Sequence, residues 1–442
     1  MPSGTYAVAT THAGASMSDS TMDRRTFARL FAAGGSAALL GHPRFEGFKP
    51  EPLSRASLRP GRVDWQAVRD QFVMPENVSV LNAANLCPSP AAILDDVVAH
   101  TRRLDSEPFP AYRSEIGAAK EHTRQVLADF LRVSPEEILI TRNTSEANNW
   151  VSTGLDLGPG DEVVIFADNH PSNNQAWKAK GERHGYTVRE VPHVDPHPGA
   201  DYYVEAFEAA LTPRTRVLAF MQHTNTSGDV FPAKELCAMA REHGVITLVD
   251  GAQSFGLMDV DLSDWQPDFF SGSAHKWPCG PKETGVLYVN RRMHDRFWPT
   301  MYSAYTGRTG LSRTHEGMGQ RDTPAIHAFG AQIEFLSSIG MAEIEARSRE
   351  LATMLVEELS RIDGVHMWTP TQAERRGAVV TFRPGELEPR EVLAALERDG
   401  IVAASRGGSD RPGIRFSPHF YNMEVDVERA VEAIGRYVGG GV

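Results

Sequence analysis

The stretch Ser271–Tyr288, "SGSAHKWPCGPKETGVLY", is compatible with two kinds of protein. Lys276 follows small residues and His275, and a turn rich in proline and glycine separates it from a second apolar run. A surface loop tolerates this mixture, and so does a catalytic lysine that is held rigidly beside a cofactor. The sequence on either side of the stretch distinguishes these interpretations.

Apolar runs of strand length alternate with amphipathic helical segments along most of the chain. The runs include "EEILIT", "DEVVIFA", "RTRVLAF", "GVITLVD" and "PDFFSGS". This alternation predicts an α/β fold in which helices cover both faces of a mainly parallel sheet. Because ligands bind beyond the carboxyl ends of parallel strands, we expect the polar clusters after these runs to meet at one rim. The clusters are Asn143–Ser145, Asn169–His170, His223–Asn225, Asp250–Gln253 and Ser273–Lys276.

Lys276 has the placement of a covalent catalyst. A lysine amine forms a Schiff base with an aldehyde when it is held near the carbonyl and can lose its proton. Lys282, after Gly280 and Pro281, has the features of a loop lysine. If the aldehyde is pyridoxal phosphate, an acid must keep the ring nitrogen protonated, because the protonated ring withdraws electrons from the substrate. Asp250, at the end of "VITLVD", fits that position.

The neighbouring strand-end residues offer the other contacts that this cofactor needs. A phosphate binds amides and hydroxyls at the start of a helix, where Thr144 and Ser145 occur. Ser273 and His275 offer further donors. A flat side chain covers the ring face, and His170 is placed for that contact.

Amide and guanidinium groups complete the candidate site. Asn225 and Gln253 are candidates to bond the ring hydroxyl. Arg415 in "GIRFSPHF" is a candidate to hold a substrate carboxylate through two parallel hydrogen bonds, with Arg406 in "SRGG" as the alternative. Taken alone, each residue has an ordinary explanation, such as a solvated lysine, a capped helix start or a surface ion pair. Their joint order along the chain favours a cofactor site.

Seven segments of the chain together resemble the class V aminotransferases, which are fold type I pyridoxal-phosphate enzymes. The similarity covers the chain from about Asn82 to the C-terminus. It points to the branch that contains isopenicillin N epimerase-like proteins, cysteine desulfurases and kynureninases. The segments are "ITRNTSEANNWV" (140–151), "GDEVVIFADNHPSN" (160–173), "QHTNTSGDVFP" (222–232), "TLVDGAQSFG" (247–256), "SGSAHKWPCGPKETGVLYV" (271–289), "GMGQRDTPAI" (317–326) and "GIRFSPHFYN" (413–422).

The resemblance implies a large domain with a mainly parallel seven-stranded sheet between helices, followed by a small C-terminal α+β domain. It also implies roles for the site residues. Lys276 is then the Schiff-base lysine, Asp250 the partner of the ring nitrogen, and Arg415 the anchor of the substrate carboxylate. The implied cofactor contacts are His170 on the ring, Gln253 near its hydroxyl, and Thr144, Ser145, Ser273 and His275 on the phosphate.

The resemblance further implies a homodimer. The segment "GMGQRDTP" is similar to one that reaches the phosphate of a neighbouring subunit. The family usually has Gly-Thr there, whereas this chain has Gly319-Gln320, so we expect Gln320 to contribute through its backbone rather than a hydroxyl.

The absence of a cysteine before Arg415 narrows the range of reactions that the sequence supports. Cysteine desulfurases carry a cysteine on a mobile loop before the carboxylate-binding arginine. The corresponding stretch here, "IVAASRGGSDRPGIRF", contains none, and Cys279 instead follows Lys276 into the turn. The sequence therefore argues against persulfide transfer.

The first forty-three residues differ in character from the rest. In "MDRRTFARLFAAGGSAALLG", Arg24 and Arg25 precede a weakly apolar run from Leu30 to Leu40. The pattern is typical of a twin-arginine export signal, although an amphipathic helix with an arginine pair is the alternative. The run is shorter than the about 20 residues that span a bilayer. We therefore expect a periplasmic or otherwise exported protein that uses the twin-arginine machinery and has no stable membrane insertion.

The remaining chain divides into four predicted parts. These are a connector at 44–60, an N-terminal segment at 61–90 that packs with the small domain, a large domain at 91–325, and a long helix with the small domain at 326–442. The net charge of −12 over 442 residues disfavours nucleic acid as a partner. Cys87, Cys237 and Cys279 form no disulfide framework and no paired zinc motif, and no metal is expected.

The sequence predicts an exported enzyme that acts on the amino group or α-carbon of an amino acid or peptide-like metabolite. An aminotransferase is the first expectation. A lyase or an epimerase is the alternative, because the fate of the reacting carbon depends on pocket geometry. A non-catalytic binding protein on the same fold is disfavoured, since Lys276 and Asp250 are intact.

Overall fold

A computed structural model describes residues 50–303, 310–406 and 410–442. The predicted export signal at 1–43 and the first residues of the predicted connector lie outside this part of the chain. The described strands are β1 (Leu58–Arg59), β2 (Arg62–Val63), β3 (Ser79–Val80), β4 (Ile138–Thr141), β5 (Glu162–Phe166), β6 (Thr187–Val191), β7 (Thr215–Met221), β8 (Ile246–Asp250), β9 (Phe269–Ser273), β10 (Gly285–Val289), β11 (Val365–Met367), β12 (Val380–Pro384), β13 (Ile401–Val402), β14 (Ala404–Arg406) and β15 (Gly413–Phe416).

Helices connect most of these strands. They are α1 (Trp65–Arg69), α2 (Ala91–Ser106), α3 (Pro110–Leu131), α4 (Thr144–Gly154), α5 (Pro171–His184), α6 (Ala200–Ala210), α7 (Ala233–Glu242), α8 (Leu262–Trp265), α9 (Leu311–His315), α10 (Thr323–Ile339), α11 (Met341–Leu359), α12 (Pro389–Arg398) and α13 (Glu424–Gly440). Among the residues that the structure describes, no helix combines the length and apolar character needed to cross a membrane.

A seven-stranded sheet forms the centre of the fold, in the order β4-β10-β9-β8-β7-β5-β6. Strand β10 pairs antiparallel with β4 and β9, and the other neighbouring strands pair in parallel. The predicted α/β class and the mainly parallel sheet are therefore confirmed.

Alternate residues of the central strands enter two hydrophobic cores, one on each face of the sheet. In β5, Val164 and Phe166 belong to one core, while Val163 and Ile165 belong to the other. All five residues of β5 are buried, which explains why the strand is a continuous apolar run rather than an alternating one. Because the strands are buried on both faces, the positions of their ends are fixed. The site residues come at or directly after those ends.

The C-terminal part contains a second, antiparallel sheet in the order β11-β12-β15-β14. A short parallel pairing of β3 with β13 connects it to the segment before the large sheet, and Asn82 forms a bridge to Ser417. The N-terminal segment thus packs beside β15, the strand that carries Arg415.

The sequence predicts one long helix from about Ile326, and this prediction is wrong. The structure has two helices, α10 and α11, that meet at Gly340. Gly340 has φ of 99°, a conformation that glycine adopts readily and that interrupts the helical backbone. The glycine is visible in the sequence, but the apolar periodicity on either side of it masks the break.

Candidate active site

A cavity of about 480 Å³ lies at the carboxyl ends of the central strands. All five predicted polar clusters contribute lining residues, and the cluster His223–Asn225 does so through Asn225. Ten of the eleven predicted site residues line this cavity: Thr144, Ser145, His170, Asn225, Asp250, Gln253, Ser273, His275, Lys276 and Arg415. The eleventh, Gln320, does not.

The start of α4 forms one end of the cavity. Asn143 caps the helix by accepting a hydrogen bond from the backbone amide of Glu146. The backbone amide of Thr144 donates to Oγ of Ser273 over 2.8 Å, and the two hydroxyl oxygens are also 2.8 Å apart. Oγ of Ser145 donates to Oγ of Ser172 over 3.1 Å. Hydroxyls that cluster at a helix N-terminus make this end suitable for a phosphate.

Asp250 ends β8 at the other side of the cavity and is almost inaccessible to solvent. Its Oδ2 accepts hydrogen bonds from the side-chain amides of Asn148 (2.8 Å) and Asn173 (3.2 Å). Its Oδ1 accepts from the backbone amide of Ala252 over 3.0 Å. Three donors on one carboxylate fix its orientation and leave it ready to face a cationic ring nitrogen.

Lys276 lies in the turn after β9 and lines the cavity. The turn is closed by hydrogen bonds from the amide of Cys279 to the carbonyl of Lys276 (2.9 Å) and from the amide of Gly280 to the carbonyl of Ala274 (2.7 Å). Burial lowers the pKa of Lys276 to about 8, with Asp250 opposing this shift and Arg415 adding to it. An amine of lowered pKa is partly neutral near pH 7, which is the form that attacks an aldehyde.

Two histidines, His170 and His275, line the cavity with Lys276. The pKa of each is lowered, which favours the neutral imidazole. Burial, and then the charge of Lys276, lowers the pKa of His275 to about 4. The same two causes, in the same order, lower the pKa of His170. His170 also caps α5, with its Nδ1 2.8 Å from the hydroxyl of Ser172. A neutral imidazole on the cavity wall is suited to packing on an aromatic ring and to hydrogen bonding.

The two candidate amides differ in how their polar atoms are used. Nε2 of Gln253 donates to the carbonyl of Ala84 over 3.0 Å, and its Oε1 accepts from Nε1 of Trp277 over 2.7 Å. Oδ1 of Asn225 is buried and has no hydrogen-bond partner. Asn225 is therefore the amide with a free polar atom for a ligand, while Gln253 is held by the protein.

Arg415 projects from β15 beside Asn225. One Nη of Arg415 donates to the carbonyl of Asn225 over 2.9 Å, while its Nε is buried without a partner. Burial, and then the nearby charge of Arg406, lowers the pKa of Arg415 to about 9. Arg415 pairs with Ala404 across the strands, so Arg406, two residues along β14, lies on the same face. A buried guanidinium without a carboxylate partner is suited to an anionic ligand.

Gln320 lies in a different cleft of about 300 Å³, which Arg142 and Met301 also line. Oε1 of Gln320 accepts a hydrogen bond from Arg113 at 3.5 Å. The structure therefore does not bring Gln320 together with the other site residues of the same chain. Its role across a dimer interface stays a prediction.

Four polar residues that line or support the cavity are not predicted from the sequence. Asn148 and Asn173 hold Asp250, and Asn85 and Ser172 line the cavity. Asn148 is fully buried one turn into α4, and a polar residue at a buried helical position is the signal that could have identified it. Asn85 comes from a segment that is distant in sequence from the other lining residues. No local sequence pattern predicts that it lines the cavity.

Comparison with known proteins places this geometry in a family. Residues 89–430 match the family model described as aminotransferase class-V. An isopenicillin N epimerase of Amycolatopsis lactamdurans is 31% identical over 393 residues, which are 84% of this chain and 98% of that protein. A cysteine desulfurase of Haloferax volcanii is 30% identical over 384 residues, which are 80% of this chain and 88% of that protein.

Solved structures agree in fold. A C-DES mutant with glycine covalently linked to its pyridoxal-phosphate cofactor superposes with a TM-score of 0.76 at 26% identity, and the match covers 83% of this chain and 98% of that one. A cysteine desulfurase of Thermococcus onnurineus gives a TM-score of 0.78 at 24% identity over 85% of this chain and 98% of that one.

The chain belongs to the class V aminotransferase family, and its cofactor is pyridoxal 5′-phosphate. The residues present fit this group. Hydroxyls and a helix start are available for the phosphate, a fixed carboxylate for the ring nitrogen, and an amine of lowered pKa for covalent attachment. The unpartnered Oδ1 of Asn225 and Nε of Arg415 are polar atoms that a bound cofactor and substrate would satisfy.

Proposed function

We propose that the protein is an aminotransferase that acts on the amino group of an amino acid or of a peptide-like metabolite with a free α-carboxylate. The observation that carries this proposal is that Lys276, Asp250 and Arg415 line one cavity, close enough for both charges to act on Lys276. Pyridoxal phosphate, when bound, withdraws electrons from the substrate α-carbon. Lys276, with a pKa of about 8, is suited to remove a proton at that carbon. Amino transfer would then require Lys276 to deliver this proton to the former aldehyde carbon of the cofactor rather than back to the α-carbon.

Asp250 orients the cofactor ring, and Arg415 orients the substrate. Asp250 is held by three hydrogen bonds, so it can keep the ring nitrogen protonated without moving. Arg415 presents a buried guanidinium that pairs with an α-carboxylate through two parallel hydrogen bonds. Fixing the carboxylate determines which bond of the α-carbon lies perpendicular to the cofactor ring, and that bond is the one weakened.

Persulfide chemistry is disfavoured by the state of the cysteines. The stretch 400–416, before and around Arg415, contains no cysteine. Cys279 is fully buried, and burial raises the pKa of its thiol well above its usual value. A buried thiol that resists ionisation is a poor nucleophile.

Epimerisation is the second candidate, and the similarity to isopenicillin N epimerases over 98% and 99% of their lengths favours it. It begins with the same proton removal by Lys276 and requires return of the proton to the opposite face. Cleavage of a carbon–sulfur bond, as in a lyase, is a third reaction that the same site residues would support.

An experiment with amino-acid enantiomers in D₂O separates these reactions. The holoenzyme is incubated with L- or D-amino acids, with and without a 2-oxo acid acceptor, and products are resolved by chiral chromatography and mass spectrometry. An aminotransferase forms 2-oxo acid that stops at one equivalent per site unless an acceptor is present. Inverted amino acid without 2-oxo acid would replace this proposal with epimerisation, and a released side-chain fragment would replace it with elimination.

We also propose that the enzyme is exported by the twin-arginine pathway and acts as a homodimer. Support for export comes from Arg24 and Arg25 before the apolar run. Support for a dimer comes from Gln320, which lies outside the cofactor cavity of its own chain, and from Met301, an exposed apolar side chain that lines the same cleft as Gln320. Trp298 and Tyr302, which flank Met301 in the sequence, are also exposed.

A further inference from the structure

Three potential metal ligands converge between α2 and α10, outside the cofactor cavity. Asp96 and His100 are four residues apart on α2 and therefore share one face of the helix, and His327 faces them from α10. One ligand atom from each residue lies within 4.8 Å of the other two. Asp96 Oδ1 is 3.3 Å from Nε2 of His100, and Asp96 Oδ2 is 3.6 Å from Nε2 of His327.

The contacts of His100 are compatible with metal binding at Nε2. Nδ1 of His100 lies 2.8 Å from the hydroxyl oxygen of Tyr112, and that hydroxyl is 3.4 Å from the backbone carbonyl of His100, to which it can donate. In the tautomer with the imidazole proton on Nδ1, the tyrosine oxygen accepts that proton and Nε2 has a free lone pair near Asp96. A metal ion at Nε2 selects this tautomer, so Tyr112 would orient the ring for binding.

The carboxylate itself has an unsatisfied oxygen. Oδ2 of Asp96 is hidden from solvent and has no hydrogen-bond donor. A divalent cation between the three residues would satisfy this oxygen and bind both imidazole nitrogens.

We propose that Asp96, His100 and His327 bind a Zn²⁺ ion that connects α2 to α10, with Tyr112 as the residue that orients His100. Tetrahedral zinc with bonds of about 2.0–2.1 Å separates its ligand atoms by about 3.3 Å. The three ligand atoms here lie within 4.8 Å of one another, so the side chains would draw slightly closer on binding the ion. Two imidazoles and a carboxylate form a ligand set that zinc accepts, and a water completes the fourth position. All three side chains are half-buried, so the ion has a path from solvent.

The site has a structural consequence for the large domain. Helix α2 follows Ser89, whose hydroxyl donates to the carbonyl of Gly280 in the turn after Lys276. A metal that fixes α2 against α10 therefore stabilises the helix next to the lysine turn. The ligands lie on helices that are far apart in the chain, which explains why sequence spacing gave no zinc motif.

Zinc binding by the full-length holoenzyme tests the proposal. The protein is dialysed against EDTA, freed of chelator, and titrated with ZnSO₄ by calorimetry, while elemental analysis gives the zinc content after dialysis. We expect one zinc per chain and a rise in Tm that MgSO₄ does not reproduce. His100→Ala and His327→Ala should each weaken zinc binding by at least about 100-fold, and Tyr112→Phe by about 10-fold with the stoichiometry unchanged.

His122→Ala is the matched control. His122 on α3 contacts Glu334 on α10 over 3.0 Å, so it also bridges two helices, but both side chains are mostly exposed. This variant should bind zinc as the wild type does. Circular dichroism and cofactor absorbance verify that each variant is folded, and the visible spectrum of Co²⁺-loaded wild type reports tetrahedral coordination without any substitution. Absence of stoichiometric zinc in the wild type, or equal affinity in all variants, would overturn the proposal.

Discussion

Asn148 donates a 2.8 Å hydrogen bond from its side-chain amide to Oδ2 of Asp250. The other end of the same amide is also fixed, because its Oδ1 accepts a hydrogen bond from the hydroxyl of Ser271 over 2.7 Å. Asp250 ends β8, and Ser271 lies in the middle of the neighbouring strand β9. A helical residue thus sets the direction of a carboxylate that lines the cofactor cavity.

Asn148→Ala should lower turnover by about 100-fold, because small misplacements at a reacting centre have effects of that size. Cofactor attachment at Lys276 should persist, since Asn148 does not line the cavity. Steady-state kinetics with the best substrate check this, and Asn149→Ala, at the exposed neighbouring position, is the control. Equal activity of the two variants would show that the orientation of Asp250 does not depend on Asn148.

Arg415→Lys keeps a positive charge and loses the paired hydrogen bonds of the guanidinium group. We expect turnover to fall by about 100-fold or more while cofactor content stays normal. Arg406→Lys, made in parallel, measures the other arginine of the cavity. Near-normal turnover of Arg415→Lys with a large loss in Arg406→Lys would move the carboxylate anchor to β14.

The lowered pKa of Lys276 predicts how cofactor attachment depends on pH. With a pKa of about 8, Lys276 is mostly protonated at pH 6 and mostly neutral at pH 9, and only the neutral amine attacks an aldehyde. The rate of attachment to the apoprotein, followed by absorbance, should rise about tenfold per pH unit below pH 8 and then level off. Arg415→Gln removes a charge that lowers this pKa, so its profile should shift to higher pH. A profile that is flat between pH 6 and pH 9 contradicts the assignment.

The proposed export signal predicts that the location of the protein depends on its arginine pair. Replacing Arg24 and Arg25 with lysine preserves charge but removes the guanidinium groups that define the motif. Cell fractionation should find the double variant in the cytoplasm and the Arg29→Lys control in the periplasm. Normal periplasmic levels of the double variant would show that the pair is not an export signal.

The parts of the site that were predictable are those with a local signal. Lys276, Asp250 and Thr144 each follow a strand-length apolar run, so the rule for parallel sheets brings them to one rim. Asn148 and Asn173 hold Asp250 through contacts that join different elements, and no spacing rule encodes such contacts.

Two other features needed the tertiary structure. The sequence offers Asn225 and Gln253 equally as partners for the ring hydroxyl, and both line the cavity. The carbonyl of Ala84 and the indole of Trp277 already bind the amide of Gln253, whereas Oδ1 of Asn225 has no partner. The break at Gly340 was missed because the helical periodicity of the apolar residues continues through it.

Covalent attachment of the cofactor to Lys276 is the central claim, and peptide mapping tests it most directly. The holoenzyme is reduced with borohydride and digested, and mass spectrometry locates the lysine that carries the reduced cofactor. We predict the label on Lys276 alone, its loss in Lys276→Ala, and its retention in Lys282→Ala, whose lysine lies in the same turn. A label on any other lysine of the wild type, or an undiminished label in Lys276→Ala, would contradict the account.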